Sequence, residues 1–122
     1  MIVYFENRVS KKKQDLILKV LQFAREEMFP RHKHISINIM AINNEGVNGD
    51  CLDEDDREFT IRFDKSLSDD ELITTLLHEM VHVDQHLRKF NFNYDLPYEE
   101  RPHEIDAFER ETILMEEFRY AA

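Results

Sequence analysis

Ser68-Asp69-Asp70-Glu71-Leu72-Ile73-Thr74-Thr75-Leu76-Leu77-His78-Glu79-Met80-Val81-His82 is the stretch on which the reading of this chain turns. It begins as a helix. The Ser68 hydroxyl can accept the Glu71 N–H while the Glu71 carboxylate returns to the Ser68 N–H, a capping box. The three acids of this first turn also suit the positive end of a helix. The spacing predicts a helix over residues 69–88. Leu72, Ile73, Leu76, Leu77, Met80, Val81 and Val83 cover more than one of its faces, which predicts burial among other elements. His78 and His82 then stand one turn apart on the same face. Their imidazoles can converge on one zinc ion, with Zn–N near ~2.0–2.1 Å. Glu79 lies beside that ion, placed to take a proton from a water bound to it.

Outward from this helix the chain alternates short elements. Residues 2–5 are β-prone. Ser10 can cap a helix to about residue 29, with Leu16, Val20, Phe23 and Ala24 at helical spacing beside Ile17 and Leu21, and Pro30 ends it. Residues 34–42 alternate apolar and polar, the period of a half-buried strand. A turn at 43–46, a short strand within 47–52 that Gly49 weakens, an acidic loop at 53–56 and a strand over 58–63 follow. Beyond the His78/His82 helix, a polar and aromatic connection spans 89–101. Pro102 fits the first turn of a last helix, whose predicted apolar stripe is Ile105, Phe108, Thr112, Met115 and Phe118. Helix, strands, helix, helix indicates an α+β fold.

Composition bounds the function. A chain of 122 residues is expected to form one domain, residues 1–122, and 42% hydrophobic content supports one modest core. Two glycines and three prolines argue against a low-complexity chain. The net charge of −10 opposes nucleic acid and anionic membranes. Lys11-Lys12-Lys13, the one basic run, reads as a solvated helix start. A single cysteine, Cys51, excludes an internal disulfide and any multi-cysteine zinc site. Its surroundings give it a structural role. Residues 1–6 hold too short an apolar stretch for a signal peptide, and no run reaches the ~20 residues of a membrane span. The expectation is a soluble, cytoplasmic protein.

A catalytic zinc takes three protein ligands and leaves a position for water. Asp84, His86, His103, Glu104 and Glu111 follow the motif. His86 lies eight residues beyond His78, a rise of roughly 12 Å on a straight helix, too far to share a tetrahedral site. It reads instead as a partly exposed helix-end residue. Asp84 points away from the His78/His82 face and reads as a solvated residue or an outer partner of the site. Glu104 has Ala107 and Phe108 on its own side, and small Ala107 permits close helix approach. Glu111, two turns on, can receive the second N–H of a metal-bound histidine. Glu104 is the preferred third ligand. His103, about 100° away around the helix, is the alternative if the helix begins later.

Thr75-Leu76-Leu77-His78-Glu79-Met80-Val81-His82 followed by Glu104-Ile105-Asp106-Ala107 resembles the gluzincin type of HExxH zinc metallopeptidase. In that group a glutamate in an E-x-x-A context on a downstream helix completes the site. The layout is also similar to small SprT-like and phage-encoded metallopeptidase domains. The likeness spans roughly residues 34–112. One departure is plain: SprT-like proteins take a later histidine, usually near His-Gly, and no His-Gly follows His82. The resemblance implies a minimal zincin-like domain with an N-terminal helix, a small antiparallel or mixed sheet, an active-site helix and a C-terminal helix carrying the third ligand.

The expected function is zinc-dependent hydrolysis of peptide bonds. His78, His82 and Glu104 bind Zn²⁺ and Glu79 is the general base. The strand at 58–63 is expected to offer an edge for an extended peptide. Tyr94, Tyr98 and His103 are candidate donors to the oxyanion. The partner is a peptide or protein substrate, with substrate identity and oligomeric state left open. Two other readings use the same residues: a non-catalytic zinc-binding regulatory or interaction module, and a DNA-associated protease, which the charge disfavours.

Overall fold

The alternating segments pair into one four-stranded sheet. The computed structural model describes residues 1–6, 8–43 and 46–121. Its elements in chain order are β1 (Ile2–Phe5), α1 (Lys11–Met28), β2 (Ser36–Ile42), β3 (Gly49–Asp53), β4 (Glu58–Asp64), α2 (Asp69–Leu87), a 3₁₀ turn (Tyr98–Glu100) and α3 (Pro102–Ala121). The fold is α+β, and the sheet is mixed. Strand order is β1-β2-β4-β3, with β1–β2 and β2–β4 parallel and β3–β4 antiparallel.

Register places the apolar residues of neighbouring strands side by side. Ile37 pairs with Phe59, and Ile39 with Phe5 and Ile61. With Phe63 and Cys51 they line the core side of the sheet, since alternate residues share a face. α1 contributes Ile17, Val20, Leu21 and Ala24, all fully buried. α2 packs against α1, α3, β3 and β4, which explains why apolar residues surround it. Of the fourteen residues of α2 from Leu72 to Gln85, only Thr74 lies outside the buried class.

Local chemistry sets the ends of α2. Ser68 Oγ accepts from Glu71 N at 3.2 Å, and Ser68 N donates to Glu71 Oε1 at 3.0 Å. At the other end Lys89 adopts a left-handed φ of 57°. Lys89 N donates to His86 O and Phe90 N to Gln85 O, the two bonds of a Schellman turn. That turn reverses the chain so that Phe92 comes back over His82 and His86, with Tyr94 stacked on Phe92 and against His103.

Three expectations are corrected. β4 is interior, between β2 and β3; the edge beside α2 is β3. The acidic loop begins one residue later, since Asp53 closes β3. The predicted stripe on α3 is only half right. Met115 and Phe118 are buried, but Ile105, Phe108 and Thr112 are exposed, and the buried face runs through His103, Glu104, Ala107, Glu111 and Leu114. The turn at 43–46 falls partly on residues 44 and 45, which lie outside the described residues. Among the described residues no helix is long and apolar enough to cross a membrane.

Candidate metal centre

Two helices build the site. α2 presents His78 and His82 one turn apart, and α3 presents Glu104 in its first turn. Ala107, one turn beyond Glu104, is fully buried and suits the close packing of α3 on α2. His78 Nε2 and His82 Nε2 each lie 3.0 Å from the same atom, Glu104 Oε1. The three ligand atoms fall within 4.8 Å of one another. Tetrahedral ligands held at about 2.0–2.1 Å stand about 3.3–3.4 Å apart, so the spacing suits one zinc-sized ion.

The outer hydrogen bonds decide which nitrogens carry protons. The Gln85 amide nitrogen donates to His103 O at 2.9 Å and Asp106 Oδ2 at 2.8 Å, both acceptors. Its oxygen therefore faces His82 Nδ1, at 2.7 Å, and that nitrogen must donate. His78 Nδ1 faces the Glu111 carboxylate at 3.3 Å and donates likewise. Each neutral ring would then turn a lone pair on Nε2 toward the Glu104 carboxylate, an arrangement of two acceptors against a third. A cation between them removes the conflict: one divalent metal ion, or a proton on each ring. The chemistry of the donor set thus fits zinc.

Proton affinities follow this geometry. Burial opposes charge on His78, but hydrogen bonds to Glu104 and Glu111 outweigh it and push the imidazole up to about 10. Burial opposes charge on His82 too, and Glu104 again outweighs it, so that ring is also raised. Burial would raise Glu104; the hydrogen bonds from both histidines instead hold it well below the usual carboxylate range. Glu79, 5% exposed, is pushed up to about 7 by burial, against the opposing pull of His82 and His78.

A cavity of about 740 Å³ opens over these groups, between β3 on one side and the Phe92–Tyr98 segment on the other. His78, Glu79, His82 and Glu104 line it together with Tyr94, Tyr98, His103 and Phe108. The Phe108 ring lies 4.7 Å from that of His78. Burial and the neighbouring Glu104 push the Tyr98 phenol up to about 12. His103 is 2% exposed, and its Nδ1 meets no hydrogen-bond partner among the described residues. Its Nε2 stands 3.9 Å from Glu104 Oε2, outside the three-ligand group.

The remaining candidates sort cleanly. His86 stays apart, partly buried, 3.5 Å from Asp53 and stacked on Phe92 at 4.2 Å. Burial pushes its imidazole down, then Asp53 pulls it back in part. Asp84 is not solvated: it is 1% exposed and held by Arg110 at 2.7 Å and Arg88 at 3.2 Å. Cys51 lines the cavity from β3, and burial pushes its thiol well up. Sequence reasoning missed Gln85. Its position three residues after His82, where helix neighbours touch, was the available signal.

Comparison of the chain with protein-family models, with curated proteins and with solved structures finds no match.

Proposed function

We propose that this protein is a zinc-dependent metallopeptidase. The observation that carries the reading is the convergence of two imidazole Nε2 atoms on one Glu104 oxygen, with each Nδ1 already committed to an acceptor. His78, His82 and Glu104 would hold the zinc, which when bound would supply Lewis acidity toward a water and a carbonyl oxygen. Glu79 sits in the same cavity, buried and next in sequence to a ligand. Its carboxylate takes a proton from water and delivers it to the nitrogen of the leaving amine. Tyr94 and Tyr98 line the same cavity, and either phenol can donate toward the developing oxyanion. β3, the sheet edge that lines the cavity, offers backbone groups to an extended peptide, the role first assigned to β4.

Glu79→Gln tests the reading. The variant is expected to hold zinc with near-native affinity and to lose peptide hydrolysis by about 10²–10⁴-fold, the usual worth of a positioned general base. A native, zinc-loaded protein that cleaves no member of a broad peptide library would overturn the enzyme reading and leave a zinc-binding module. A native protein that binds no zinc would overturn both.

A further inference from the structure

Gln85 hydrogen-bonds both a ligand ring on α2 and the turn of α3 bearing the third ligand. It is 1% exposed. Its oxygen meets His82 Nδ1 at 2.7 Å, and its nitrogen meets His103 O at 2.9 Å and Asp106 Oδ2 at 2.8 Å. Asp106 is itself fixed by Arg110 at 3.2 Å, and Arg110 reaches back to Asp84, the neighbour of Gln85 on α2, at 2.7 Å. The ring of contacts Asp84–Arg110–Asp106–Gln85 therefore closes on itself across the two helices. Neither end of the amide can be exchanged without placing acceptor against acceptor or donor against donor.

We propose that Gln85 is a positioning residue: it assigns the His82 proton to Nδ1, so that Nε2 faces the site, and it sets the distance from that ring to Glu104. The part of this inference that concerns metal affinity rests on the zinc reading above; the proton assignment does not. An amide does here what a carboxylate, Glu111, does for His78. A carboxylate could not replace it, because its second oxygen would meet both the His103 carbonyl and the Asp106 carboxylate.

Two variants and one spectrum test this. Gln85→Met keeps the length and removes the polar atoms; Gln85→Glu keeps an acceptor toward His82. Zinc affinity, measured by competition with a chromophoric chelator, is expected to fall about 10–100-fold in each, the usual worth of an outer hydrogen bond to a metal ligand. Long-range ¹⁵N–¹H spectra of the native zinc-loaded protein should show His82 protonated at Nδ1 and metal-bound at Nε2. Unchanged zinc affinity in Gln85→Met, or tighter binding in Gln85→Glu, would overturn the proposal. So would His82 bound through Nδ1. If a variant fails to fold, the native spectrum decides. If the native protein binds no zinc, the spectrum of the metal-free form decides: an exchange-protected Nδ1 proton on His82 supports the assignment, and its absence overturns it.

Discussion

Raising the pH should destabilise the metal-free protein and leave the zinc-loaded protein nearly level. In the metal-free protein both rings need a proton on Nε2 to satisfy Glu104. His78 has its proton affinity raised from an ordinary 6.5 to about 10, and His82 is raised as well. A group raised on folding contributes stability that is complete below its unfolded pKa and lost as pH climbs through the folded one. The contribution of His78 is therefore full below 6.5 and gone above about 10. Glu79, raised from 4.5 to about 7, adds a loss of the same sign between those values. Glu104, lowered on folding, contributes stability that is present above 4.5 and lost on acidification. The metal-free protein should be most stable near pH 4.5; its melting temperature should fall above that as Glu79 ionises, and more steeply above 6.5 as the rings lose their protons.

Zinc should cancel that slope, because it takes the place of those protons. While both rings are protonated, binding releases two protons, and affinity strengthens about a hundredfold per pH unit, about 1.4 kcal/mol for each proton. As each ring loses its proton the slope falls by one. Calorimetry in buffers of different ionisation enthalpy counts the released protons directly. Differential scanning with and without a chelator gives the two stability slopes. A release of close to zero protons at pH 6, or melting temperatures that fall in parallel with and without zinc, would refute the assignment of both Nδ1 protons to acceptors, and with it the cation argument for the site.

Further expectations test the frame around the site. Gly49 lies where β3 crosses α2: an added Cβ would stand 2.6 Å from Arg62 O and 2.7 Å from Thr75 Cγ2. Gly49→Ala should cost about 1–3 kcal/mol in urea unfolding, the usual penalty for overpacking, and an unchanged midpoint would contradict this close approach. Arg110→Met removes the closer partner of buried Asp84 and leaves only Arg88, which is itself largely exposed. A loss of about 3 kcal/mol is expected, the low end for a broken buried pair, and a stabilised variant would mean the pair is not buried in solution. Lys89→Gly has the opposite sign. The left-handed Lys89 carries a cost of about 1 kcal/mol that glycine escapes, so thermal melting should shift upward.

The fold was legible where local chemistry decides it and obscure where pairing across the chain does. Ser68 and Glu71 announced α2, and Pro30 and Pro102 bounded α1 and α3, because caps and prolines act within a few residues. The place of β4 in the sheet depends on β2, some twenty residues earlier, which pairs with it in parallel and displaces the edge to β3. Thr60, on the face opposite Phe59 and Ile61, is buried between Asn38 and Leu52 of the two neighbouring strands.

α3 shows why the site and the hydrophobic pattern compete. Its apolar residues at 105, 108, 112, 115 and 118 suggest one inward face. The helix instead turns His103, Glu104, Ala107 and Glu111 inward and leaves Ile105 and Phe108 exposed. Burying Glu104 and Glu111 in place of Ile105 sacrifices hydrophobic stabilisation, and carboxylates resist burial unless they are paired. The pairing is supplied by His78 and His82, whose own burial on α2 would be as costly without those acids. The polar groups of the two helices thus offset one another's desolvation, and the rotation of α3 follows from that balance. A sequence pattern that counts only apolar residues must misplace such a face, and departures of this kind belong at functional sites. The nearness of Glu104 to both histidines was legible because its reading began from the chemistry a third ligand would need; Phe108 was misplaced because its reading began from hydrophobicity.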